Sequence, residues 1–342
     1  MKKIVIIGAG AMGSAFAVPC IENKNDVTIV GTHLENELID NINSNNKTHP
    51  ALKTQLPEEI KFEKFEKLQT ILEQKSDIIV CGVSSIGIEW FVEQISKSYE
   101  KKLPIVLLTK GLSILDNELL TLSDKIKNLL EKKGHSEINI SAIKGPCLAA
   151  GLANKMRTGT VIANQDTKEC QSLKNIISTN YYSTEISEDI SGVEISGAIK
   201  NIYSMLIGAS EGLSNSNATK ELQSKYYLNT AASLIHRSIS EMVEFVSHYG
   251  GKPETVYGLA GLGDLYVSAI GGRNSLMGKY LGEGYLYNEA KEKFMKDITV
   301  EGAQLALEIG PKILQDLNSK HFPLMFSMLR TICENKKLEI NW

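Results

Sequence analysis

Lys200 lies in EISGAIKNIYSMLIGA (194–209), where most neighbours are apolar or small. A helix of that composition is buried around most of its circumference, and burial disfavours the charged form of a lysine. Reduction of a ketone creates an alkoxide that needs a proton as hydride arrives. A lysine of lowered proton affinity can supply that proton and take it back in the reverse direction. A lysine that snorkels to the surface fits the same composition, and the local residues leave both readings open. Lys110 follows PIVLLT (104–109). It stands where the carboxyl end of a strand would hold a ligand, although surface lysines are common at such ends. Residues 258–274, GLAGLGDLYVSAIGGRN, are glycine-dense within an otherwise helical region, which means close backbone approaches or a loop shaped around a ligand. Asp264 is a carboxylate in apolar surroundings and is expected to pair with a cation. Arg273 and Asn274 offer donors suited to a phosphate; the plainer alternative is a structured turn with a surface arginine.

Two kinds of scaffold must position these groups. In the first half, β-branched apolar runs at 3–7, 26–30, 77–82, 105–109, 138–143 and 160–163 alternate with helical stretches. Continuous apolar runs spaced this way predict a parallel sheet covered on both faces, the doubly wound (Rossmann) α/β architecture. From about residue 190 the pattern turns helical, with candidates at 190–213, 221–249, 276–282, 287–295, 301–318 and 323–335. We therefore expect a dinucleotide-binding domain over 1–188 and an all-α substrate and catalytic domain over 189–342, a division that suits the chain's 342 residues.

The first apolar run leads into GAGAMG (8–13). A glycine-rich turn between a strand and a helix lets the backbone approach a pyrophosphate and turns the helix's free N–H groups toward it. Gly8, Gly10, Ala11, Met12 and Gly13 are the expected contacts. Cofactor choice should be written at the tip of the second strand, as an acidic residue for a ribose hydroxyl or an arginine for a 2′-phosphate. Val30-Gly31-Thr32-His33 carries neither. Thr32 and His33 are taken as contacts, Glu35 reads as too far along the chain, and NAD and NADP both remain open.

A formal charge of -3 gives no reason to expect a nucleic-acid or membrane-surface partner. Five scattered cysteines with no CxxC pair argue against a disulfide framework and for a reducing compartment, so the cytoplasm is expected. The six histidines show no metal-ligand spacing, and no metal is expected. Lys2-Lys3 followed by the apolar stretch from Ile4 to Ile21 could pass for a signal sequence, but its glycine spacing reads as strand, turn and helix. No segment suggests a membrane span.

The motifs GAGAMGSAFA (8–17), TKGL (109–112), GPCLAAGLA (145–153), SGAIKNIYSM (196–205), PETVYGLAGLGDL (253–265), GGRN (271–274) and VEGAQLA (300–306) occur in this order. Together they resemble the NAD(P)-dependent glycerol-3-phosphate dehydrogenases over nearly the whole chain. The resemblance implies interconversion of dihydroxyacetone phosphate and sn-glycerol 3-phosphate by a homodimer using NAD or NADP. It implies Lys200 as the catalytic lysine, with Lys110 and Asp264 as active-site partners. It further implies Gly145, Asn201, Ser268, Arg273 and Asn274 around the substrate, and Lys110, Arg273 and Glu301 near the cofactor. Three features depart from the family pattern. Cys147 and Gly151 stand where serine and glutamate are usual, and the region between Asn217-Ala218 and Ala231 is about eleven residues longer than usual. The tip of the second strand lacks both cofactor determinants. Two alternatives follow: the same chemistry on a larger phosphorylated ketose or polyol, or a non-catalytic dinucleotide-binding regulator. The presence of Lys110, Lys200, Asp264 and Arg273 argues against the regulator.

Overall fold

The computed structural model describes residues 1–214 and 220–340, and only the backbone of 220–226. Part of the long region after Asn217 therefore lies outside the described residues. The chain divides into two units, residues 1–110 with 121–190 and residues 111–120 with 191–342.

The first unit is built on an eight-stranded sheet. Its strands are β1 (Lys3–Ile7), β2 (Asp26–Val30), β3 (Lys61–Glu63), β4 (Ile78–Cys81), β5 (Pro104–Leu107), β6 (Asn139–Lys144), β7 (Thr158–Ala163) and β8 (Tyr182–Ser187). Their spatial order is β8-β7-β6-β5-β4-β1-β2-β3. Alternate residues of β1 serve opposite faces. Ile4 and Ile6 join one buried apolar cluster, and Val5 and Ile7 join the other. Both faces are covered, which is why the strands read as continuous apolar runs. The supposed signal stretch forms β1, the glycine turn and helix α1 (Ala11–Glu22). The expected architecture holds with two refinements. The sheet is not wholly parallel, because β7 runs antiparallel to β6. The link between them holds only the short helix Ala149–Ala153, too little for a crossover. In addition, β3 and β8 carry charged and polar residues toward solvent at the sheet's edges, so neither shows the apolar run of a central strand.

The second unit is helical, as expected from residue 190 onward. Its main elements are α2 (Ile190–Leu213), α3 (Lys220–His248), α4 (Asp264–Ala269), α5 (Arg273–Gly282), α6 (Glu301–Asp316) and α7 (Pro323–Cys333). Helix α2 is buried from Gly192 to Ser210, as its all-round apolar composition predicts. Helix α5 lies directly on its backbone. A β-carbon on Gly208 would sit 2.2 Å from the Ser275 carbonyl oxygen, and one on Gly278 would sit 1.9 Å from that of Met205. The unit also takes a hairpin, 112–115 with 118–121, from inside the span assigned to the first domain. Leu112 lies in the helical core, with Ile114 and Leu119 packed against it. That packing moves 111–120 out of the expected 1–188 domain. No helix among the described residues is long and apolar enough to cross a membrane.

Candidate functional site

In the first unit, the sheet changes direction between β1 and β4, and ligand crevices open beyond the carboxyl ends at such a switch. Gly8 has φ +109°, and a β-carbon there would lie 2.8 Å from the Gly82 carbonyl. A β-carbon on Gly13 would lie 2.5 Å from the Gly8 oxygen. Strand β1, strand β4 and helix α1 therefore meet backbone to backbone, and Gly82 belongs to the motif although the spacing rule does not name it. Gly10 is different. Its φ is -63°, it caps α1 without a side-chain hydrogen bond, and a β-carbon would meet only Glu35 Oε1 at 4.0 Å. Space above Gly10 and uncapped N–H groups in the first turn, with Ala11 and Met12 half-buried beside it, fit a dinucleotide's pyrophosphate.

Glu35 overturns the expectation that it stands too far along. The turn closed by Glu35 N–H on the Thr32 carbonyl brings its carboxylate back to the loop. There Glu35 Oε2 accepts from Ala9 N–H at 3.1 Å and Thr32 N–H at 2.7 Å. The Thr32 amide is thus engaged within the protein, and the His33 ring packs against Phe65 and Trp90. Buried His49 also reaches the loop. Its Nδ1 faces the N–H groups of Ala51 and Leu52, so its Nε2 carries the proton and donates to the Ala9 carbonyl at 3.0 Å. No motif pointed to His49, since a lone histidine gives no periodic signal. Farther along the same edge, Lys110 Nζ donates to the Gly145 carbonyl at 3.5 Å.

In the second unit, Lys200 is 3% exposed rather than snorkelling. Its Nζ donates to Asp264 Oδ1 at 2.8 Å and also to Ser268 Oγ. Asp264 and Ser268 lie one turn apart on α4, hence on one face. The glycine density before α4 has a steric cause, because a β-carbon on Gly261 would overlap the Val256 carbonyl oxygen at 2.0 Å. One residue beyond Lys200, Asn201 Oδ1 accepts from Asn274 Nδ2 at 2.9 Å, and Asn274 Oδ1 accepts from Gly302 N–H at 2.9 Å. Asn274 thereby ties α2 to the first turns of α5 and α6. Arg273 pairs with Glu301 at 2.9 Å, both half-exposed. Among the described residues no group of three or more metal-ligating side chains occurs.

The profile of the NAD-dependent glycerol-3-phosphate dehydrogenase N-terminus matches residues 3–170, and that of its C-terminus matches 189–341. The chain belongs to the NAD-dependent glycerol-3-phosphate dehydrogenase family. An NADP(+)-dependent glycerol-3-phosphate dehydrogenase of Archaeoglobus fulgidus is 33% identical over 98% of this chain and 96% of its own length. A glycerol-3-phosphate dehydrogenase [NAD(P)+] of Mesoplasma florum is 31% identical over 96% of this chain and 93% of its own. Among solved structures, the glycerol-3-phosphate dehydrogenase of Coxiella burnetii superposes with a TM-score of 0.79 at 25% identity, covering 98% of this chain and 96% of its own. That of Plasmodium falciparum reaches 0.82 at 22% identity over 100% and 97%, a likeness of fold. Against the dehydrogenase family pattern, Cys147 is half-buried, and a β-carbon on Gly151 would meet nothing closer than Met156 at 3.9 Å.

Proposed function

We propose that the chain catalyses reversible hydride transfer between NAD(H) or NADP(H) and dihydroxyacetone phosphate, giving sn-glycerol 3-phosphate. The observation that carries this reading is the buried Lys200–Asp264 pair, with half-buried Ser268 on the same ammonium, within a chain of this family. The nicotinamide ring, when bound, supplies the hydride. Lys200 holds a proton ready for the carbonyl oxygen as it becomes an alkoxide, and takes it back in the oxidative direction. Asp264 and Ser268 aim the Lys200 Nζ and keep its rotamer fixed. Arg273, with Asn274 and Asn201 behind it, receives the substrate phosphate, and Glu301 holds the guanidinium in place beforehand. The glycine loop with Ala11 and Met12, together with Thr32, His33, Lys110, Arg273 and Glu301, serves the dinucleotide. Lys110 and Gly145 also serve the substrate. The protein acts as a homodimer, and it works in the cytoplasm, the reducing compartment to which five scattered cysteines without a CxxC pair point.

The test is loss of nicotinamide absorbance when the purified protein meets NADH or NADPH and dihydroxyacetone phosphate. A phosphorylated ketose of longer chain is the competing substrate, motivated by Cys147 and Gly151. Arg273→Ala should raise KM for dihydroxyacetone phosphate roughly 30-fold or more, the loss of a charged hydrogen bond to phosphate. It should also erase the preference over unphosphorylated dihydroxyacetone. No turnover with any phosphorylated ketose, despite tight dinucleotide binding, would leave the regulator in place of the enzyme.

A further inference from the structure

We infer that Lys144 is a positioning residue for the reaction, acting through Lys110 at the carboxyl edge of the sheet. The inference rests on the reading that Lys110 belongs to the substrate site. Lys144 ends β6 and is 2% exposed. Its Nζ donates to the carbonyl of Leu107, the last residue of β5, at 3.0 Å. Three residues beyond Leu107, Lys110 Nζ donates to the carbonyl of Gly145, the residue after Lys144, at 3.5 Å. The ladder between the two strands ends at the pair Ala142 and Leu107. Beyond that point the strands exchange two lysine-to-carbonyl bonds in place of backbone pairing.

Burying an ammonium costs free energy that an apolar side chain of the same length would not. Core packing alone therefore does not call for lysine at this position. What lysine adds is a charge-assisted grip on the Leu107 carbonyl, which sets the direction of the chain over 108–110. The opposite side of that segment is held as well, because Thr109 Oγ1 donates to the Val83 carbonyl at 2.6 Å. Residues 107–110 are thus anchored to the strand ends on both sides, and Lys110 leaves a fixed backbone with its tip already directed. Such anchoring lowers the cost of bringing a binding group into place, and a displacement of about 1 Å at such a group can cost on the order of 10²-fold in rate.

The experiment is a double-mutant cycle on the purified enzyme with Lys144→Met, Lys110→Met and the double variant. It measures kcat and KM for dihydroxyacetone phosphate, the Kd for NADH or NADPH by fluorescence, and Tm. Lys144→Met should keep Tm at or above the native value and change the dinucleotide Kd no more than Lys110→Met does, while kcat/KM falls roughly 10–100-fold. The double variant should be no worse than Lys110→Met alone. Lys144→Gln, which keeps an N–H donor without the charge, should recover part of the loss, and it replaces Lys144→Met in the cycle if that variant does not fold. Multiplying effects in the double variant, native kinetics in Lys144→Met, a dinucleotide Kd weakened beyond that of Lys110→Met, or Tm falling in step with turnover would overturn the proposal. Native kinetics in Lys110→Met would instead remove the reading of Lys110 on which it rests.

Discussion

At the scale of single residues, the Lys200–Asp264 pair combines chemistry with an energetic liability. Both side chains are 4% exposed, and removing one partner of a buried pair costs about 3–5 kcal/mol because the other charge stays buried. Lys200→Met should therefore lose about 10²–10⁴-fold in turnover and also lower Tm. Adding Asp264→Asn should restore much of the Tm without restoring turnover. Near-native turnover in either variant excludes Lys200 as the proton donor. Lys200→Arg should not rescue, since guanidinium stays protonated and carries a different donor geometry. The glycines of the turn separate in a similar way. Gly10→Val meets open space within the protein, so it should fold normally while abolishing dinucleotide binding. Gly13→Ala places a β-carbon 2.5 Å from the Gly8 oxygen and should cost about 1–3 kcal/mol of stability. Equal stability loss in the two variants, read by thermal melting, would contradict this division.

Among the elements, α7 begins with its first-turn N–H groups facing a buried carboxylate rather than a local cap. Glu241 of α3 accepts from Leu324 N–H at 2.7 Å, Met325 N–H at 2.9 Å and Tyr203 Oη–H at 3.1 Å. A negative group at a helix N-terminus is favourable, and these bonds compensate for its burial. Burial nevertheless dominates and raises the carboxyl above its ordinary value of 4.5, while the three hydrogen bonds pull the other way. An acid whose pKa is raised by folding contributes stability below its unfolded pKa, and that contribution is lost as pH rises through the folded value. Glu241→Gln cannot ionise. Its Tm relative to the native protein should therefore climb as pH rises from about 4.5. A pH-independent difference between the two melting curves would refute the raised carboxyl.

Across the whole molecule, residues 111–120 leave the sheet unit and complete the core of the helical one. Leu112 is 1% exposed in that core, and truncating a buried leucine costs about 2–5 kcal/mol. Leu112→Ala should accelerate amide hydrogen exchange mainly in residues 191–340, far along the chain from the substitution. Acceleration confined to 1–110 would place the hairpin with the sheet. The hairpin had a signal in the sequence. Asp116 and Asn117 both take positive φ, the two-residue turn that favours Asp and Asn, and they lie between the apolar residues Leu112, Ile114 and Leu119.

Much of this protein is determined by local pattern. The strands β1, β2, β4, β5, β6 and β7, the buried helix around Lys200 and the glycine turn are legible because continuous apolar runs, all-round apolar helices and glycine spacing are properties of short segments. The order of the motifs was enough to indicate the dehydrogenase family. Tertiary structure alone decided the rest, because each case depends on residues distant in sequence meeting in space. Asp264 and Ser268 reach Lys200 only because α4 and α2 pack together. Glu35 returns to the glycine loop through a turn that no periodicity marks. Edge strands β3 and β8 carry no apolar run because solvent covers one side of them. Lys144 resembles any other lysine in the sequence; only the fold buries it and sets its Nζ against the end of the neighbouring strand.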